Sequence, residues 1–156
     1  MKSFFCILFT LFYMNVVSAW DEANEVHNDA EYKASFREYK GLALQGFARA
    51  QFNLGHMYHK GEGTVQDYEA AFNWYMQAAE QGVVNAQFNL ALMNVKGEGV
   101  AQNYIRAYMW WDIVASNGDK DAKNQRNLIQ KSLTFSQLVK ARELVKECQA
   151  KSYRDC

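Results

Sequence analysis

The chain of 156 residues contains no proline, three cysteines, three histidines and no excess of either charge, with 17 basic residues against 17 acidic ones. That balance removes the positive surplus on which a nucleic-acid binder draws. Few side chains are left for catalysis: no His-Glu-x-x-His occurs, and no serine lies in a strained elbow sequence. Its most apolar stretch, Phe4 to Met14, spans 11 residues, whereas a helix needs about 20 to cross a hydrocarbon core. What remains suits one small soluble domain with a single core.

The apolar stretch follows a positive start, Met1-Lys2-Ser3, and leads to small residues at Val17-Ser18-Ala19. This pattern predicts a secretory signal peptide over residues 1–19, cut before Trp20, in preference to an uncleaved anchor. Export implies a periplasmic or secreted protein with no stable membrane insertion after cleavage. Cys6 would leave with the signal peptide. Cys148 and Cys156 remain, and in an oxidising compartment such a pair reads as a disulfide closing "CQAKSYRDC", with two free thiols as the alternative. Without a nearby histidine they make poor zinc ligands. Residues 119–156 carry nine basic and five acidic side chains, against seven and twelve over 20–118, but the basic ones are spread along helical faces as a solvated surface.

Residues 46–81 and 82–117 align without a gap at 16 of 36 positions, enough self-similarity at a fixed period to predict a solenoid. Ala50 pairs with Ala86, Leu54 with Leu90, Gly61 with Gly97, Gly63 with Gly99, Tyr68 with Tyr104, Ala71 with Ala107, and Trp74 with Trp110. A partial repeat is expected over 20–45, where Tyr32, Phe36, Tyr39 and Ala43 continue the period backwards. A degenerate one is expected over 118–156, where Gly118 and Ala122 restart it.

Each unit reads as two antiparallel helices. Tyr68, Ala71, Phe72, Tyr75, Ala78 and Ala79 form one apolar face in the second helix, and Ala50, Leu54 and Met57 or Tyr58 form one in the first. Gly82 and Gly118 stand where a helix should stop. A hairpin of this kind buries its stripe only by stacking on neighbours. Further on, Thr134 with Gln137 is a capping box, and Leu138, Ala141, Leu144 and Val145 give the final helix an apolar side with which to cap the stack, leaving Lys140, Arg142, Lys146 and Lys151 in water.

The string Ala-Gln-Phe-Asn-Leu-Gly-x-Met-Tyr-x-x-Gly-x-Gly from Ala50, followed by Asp67-Tyr68, Ala71, Trp74-Tyr75, Ala78-Ala79 and Gln81-Gly82, resembles a Sel-one-like repeat, a relative of the tetratricopeptide repeat. The likeness covers about residues 28–131. It implies an all-α, right-handed α/α superhelix acting as an adaptor or scaffold for protein complexes, often in bacterial envelopes. In the second repeat Ala91, Asn94 and Trp111 replace Gly55, Tyr58 and Tyr75, a change at packing positions. Cysteine-rich members described as β-lactamases or penicillin binders keep a cell-wall or β-lactam hydrolase as an alternative, but their cysteine pairs run through the repeats, whereas this chain has one pair at its end.

Three tempting chemistries dissolve against the repeat. His56 and His59 have metal-compatible spacing but lack a third ligand, and Leu92 and Val95 stand at the equivalent places. Lys60-Gly61-Glu62-Gly63 returns as Lys96-Gly97-Glu98-Gly99, a turn between helices without the spacing of a phosphate loop. Trp74, Trp110 and Trp111 fall on the packing stripe, which leaves them unsuited to stacking on nucleic acid. Neither cofactor, metal nor catalytic residue is expected. The expected activity is non-enzymatic binding of another protein or peptide on the concave face, by Arg49, Phe52, Asn53, His56 and Lys60 of one repeat and Phe88, Asn89 and Lys96 of the next. The amides would serve a peptide backbone and the phenylalanines would be apolar anchors, unless both are engaged inside the fold. A self-assembling subunit, oligomerising through an open N-terminal end, is the third alternative.

Overall fold

The computed structural model describes residues 29–156 as seven helices in series: α1 over 29–44, α2 over Ala48–Lys60, α3 over Tyr68–Glu80, α4 over Val84–Lys96, α5 over Tyr104–Ser116, α6 over Lys120–Gln130 and α7 over Phe135–Ala150. The expected signal peptide and residues 20–28 of the partial repeat lie outside the described residues. Helices α2 with α3 and α4 with α5 form two hairpins, and α3 packs on α4 between them, giving an α/α solenoid.

Both hairpins are folded by the same local chemistry. Gly61 and Gly97 end the first helices with φ of 76° and 74°, in the left-handed region where a Cβ is penalised. The second helices start where the Asp67 and Asn103 side chains accept the backbone N–H of Ala70 and Arg106. Between them, the Gln66 amide donates to the His59 carbonyl and the Gln102 amide to that of Val95, tying each turn back to the helix it leaves.

The core lies along the stacked inner faces. Ala50, Ala86 and Ala122, spaced one period apart, are all buried, as are Leu54 and Leu90. One cluster runs from Ala71 to Cys148; a smaller one, Ala43, Ala50 and Leu54, sits under α1, where Phe36 meets Tyr58 edge-on at 5.3 Å. Small residues set the spacing. A Cβ on Gly55 would fall 2.8 Å from Tyr75 Cδ1, and in the second repeat Ala91 and Trp111 occupy those places, both buried.

A buried amide inside the repeated Ala-Gln-Phe-Asn-Leu string is a contact that pattern reading passes over. Gln51 and Gln87 are 4% and 1% exposed, and each donates to a carbonyl of the preceding helix, Ala43 at 3.3 Å and Ala79 at 3.2 Å. Gln51 Oε1 also accepts from the Gln81 amide at 2.7 Å. Gln87 Oε1 has no partner among the described residues, because Asn117 stands one period after Gln81 and is shorter by a methylene. Asn117→Gln should therefore satisfy that oxygen and stabilise the protein by about 1 kcal/mol, read as a raised urea midpoint at unchanged slope.

Asp119 caps α6 through the Ala122 N–H, and α7 opens with the full Thr134–Gln137 capping box. Ala141, Val145 and Cys148 bury the inner side of α7 against α5, while Leu138 and Leu144 are half-buried on the same core. After Ala150 the chain turns back. A disulfide joins Cys148 to Cys156 across a Cα–Cα distance of 5.2 Å, the Asp155 N–H donates to Glu80 Oε1 at 3.3 Å, and the Arg106 guanidinium donates to the Cys156 carbonyl. The bridge thus fastens the end of α7 to α3 and α5. Cys156→Ser should lower stability by about 2 kcal/mol, the loop-closure contribution of so short a ring. Denaturant titration measures the loss, and a thiol count on the unreduced wild type should read zero from these two residues.

Candidate functional site

Three clefts open along the first helices of the repeats and share their walls. A cleft of about 380 Å³ between α2 and α4 is lined by Arg49, Phe52, Asn53, Val83, Val84 and Asn85. A second, of about 240 Å³, is lined by His56, His59, Lys60, Tyr75, Asn89 and Lys96 among others. The third, of about 270 Å³, runs between α1 and α2 past Tyr32, Tyr39 and Glu62. Asn53 belongs to the first and third, and His56 to the second and third, so the clefts adjoin along α2 and are together called the trough.

Helical periodicity explains the gathering. On α2, Arg49, Phe52, Asn53, His56 and Lys60 recur at three- or four-residue steps and share the side facing away from Ala50, Leu54 and Met57. On α4, Asn89 and Lys96 do the same. Seven of the eight residues singled out in the sequence therefore line the trough. Phe88 is the exception: its half-buried ring lies 6.2 Å from that of Trp111, edge-on, and lines none of these three clefts. Phe52 does both, lining the first cleft while its ring packs 5.7 Å from Tyr75.

His59 is held in place, for its Nε2 lies 3.1 Å from Glu98 Oε2 and its ring meets Tyr68 edge-on at 5.1 Å. Glu98 also lies 3.4 Å from Lys96 Nζ, so this small charge cluster ties the turn of one repeat to the first helix of the previous one. His56 faces Glu62 at 3.7 Å. The signal was present in the sequence, since Glu62 and Glu98 recur within the Gly-Glu-Gly turn, but which histidine each would meet depends on how the repeats stack.

Beneath the trough lies Tyr75, 1% exposed. Burial pushes its phenol up to about 12, partly offset by a side-chain hydrogen bond with Asn89, while Glu62 adds a smaller upward push. The phenol is therefore neutral at physiological pH, with Asn89 beside it. Asn53 makes no such bond within the described residues, which leaves its amide open to the trough. Among the described residues no three His, Cys, Asp or Glu side chains converge as a metal ion would require, and no helix is long and apolar enough to cross a membrane.

Residues 48–83 and 84–119 each match the model of the Sel1 repeat. Among solved structures, the chain is similar to a protective antigen present in uropathogenic Escherichia coli strains and displaying an SLR fold, at 32% identity and a TM-score of 0.75 over 79% of this chain. It is also similar to a Sel1 repeat protein from Oxalobacter formigenes, at 35% identity and a TM-score of 0.59 over 62% of this chain. The chain spans 27% of the first of those proteins and 40% of the second. No curated protein matches it.

Proposed function

The chain carries two Sel1 repeats in an SLR fold, a scaffold that generally serves protein–protein interaction, and from that premise we propose that it binds a peptide segment of a partner protein in the trough along α2 and α4. The observation that supports this best is the run of side chains on α2, Arg49, Phe52, Asn53, His56 and Lys60, that line adjoining clefts along that helix. Such a surface offers an apolar wall, an uncommitted amide and cationic ends, which suits main-chain hydrogen bonding with side-chain selection. The protein acts in the periplasm or outside the cell; the signal-peptide pattern at its N-terminus and the Cys148–Cys156 disulfide support that placement.

Asn53→Ala is the cleanest test. Its amide is not part of the core, so the variant should melt as the wild type does, yet retain several-fold less partner in crosslinking pull-down from envelope extract, about 1 kcal/mol of binding. Undiminished capture would remove the trough from consideration. Asn89→Ala is less clean, because Asn89 also neighbours the buried Tyr75 phenol.

A further inference from the structure

The acidic side chains of the trough each have a near neighbour. Glu98 faces His59 and Lys96, and Glu62 faces His56. Arg49 and Lys60, by contrast, make no ion pair with any described residue, although both line the trough and both are exposed. They stand at opposite ends of α2, 11 positions apart. At the helical rise this is about 16 Å, the reach of about five residues of extended chain. Phe52, Val83 and Val84 form an apolar wall beside Arg49, and the open Asn53 amide lies between the two cations.

Resting on the peptide-binding function above, we infer that the occupant is an extended acidic segment: one carboxylate pairs with Arg49, a second about five residues away pairs with Lys60, and an apolar side chain next to the first seats against Phe52, Val83 and Val84. Charge complementarity favours this occupant, since the trough's fixed cations, Arg49, Lys60 and Lys96, outnumber its carboxylates, Glu62 and Glu98. A nucleic acid fits less well. It needs free aromatic faces, whereas Phe52 is packed on Tyr75 and Phe88 on Trp111, and it needs a longer cationic track than two side chains.

The test is selection of displayed random peptides on the disulfide-intact protein, followed by fluorescence polarisation of the best binder, labelled, at physiological salt. The expected binders carry two acidic residues about five positions apart with an apolar neighbour. Arg49→Glu and Lys60→Glu should each weaken binding roughly tenfold without altering the melting curve, and a peptide with lysine in place of its first acid should regain affinity for Arg49→Glu. Affinity should fall as salt rises. Binders without acidic bias, or indifferent to both charge reversals but weakened by Asn53→Ala, would overturn this inference and leave the trough standing. Binders indifferent to Asn53→Ala as well, or no binders at all, would sink both. A single-stranded oligonucleotide that outcompetes the peptide would overturn the class of partner.

Discussion

Gly99→Ala should destabilise the protein by about 3 kcal/mol or more, far beyond the usual cost of adding one methyl group at a turn. Two effects combine. The residue has φ of 67°, where a Cβ costs roughly 1–2 kcal/mol, and that Cβ would also fall 2.1 Å from the Tyr68 carbonyl oxygen and 2.4 Å from its carbon. Backbone cannot swing aside as a flexible side chain does, so α3 and the turn after α4 would have to part. Gly97, two residues earlier, is the control. It has φ of 74°, but a Cβ there would meet nothing nearer than 3.6 Å, so Gly97→Ala should cost only about 1 kcal/mol. Urea denaturation of the two variants side by side separates conformational strain from steric overlap, and equal losses would refute the close approach. Gly63 repeats the geometry against Tyr32, 2.3 Å away, so Gly63→Ala should loosen α1 instead of splitting the two hairpins.

Trp110→Ala should cost about 4 kcal/mol, whereas Trp74→Ala, at the equivalent position of the first repeat, should cost about half as much. Trp110 is 0% exposed within the main cluster, enclosed by side chains that cannot collapse fully into the space it would leave. Trp74 is half-buried against the small cluster under α1, where water can fill part of the gap. The indole N–H of Trp110 has no partner among the described residues, so Trp110→Phe strands no acceptor and should recover most of the loss. Denaturation midpoints order the three variants, and equal losses for the two alanine substitutions would show that burial is not what separates them.

The paired fates of repeated residues show how far the sequence reaches. Ala50, Ala86 and Ala122 fall in the core because a 36-residue period and a helical stripe fix both the element and its inward face. The ends of the helices were legible for the same local reason: Gly61, Gly97 and the Thr134–Gln137 box act through neighbours in the chain. The trough was legible in part. Residues off the stripe on α2 line the trough together, whereas Phe88, which packs on Trp111 as Phe52 packs on the equivalent Tyr75, lines none of the three clefts.

By itself, then, the sequence determined the helices, their pairing into hairpins, the stacked architecture and the side of each first helix that stays out of the core, because all of these follow from periodicity and short-range capping. Only the tertiary structure decided which groups meet across repeats: Glu98 with His59, the Gln51 and Gln87 amides with carbonyls of the preceding helix, Gly99 with the Tyr68 backbone, and the closed C-terminal segment with Glu80 and Arg106. Those contacts depend on the offset between successive hairpins, which side-chain volumes at the whole interface set together and no single stretch of sequence encodes.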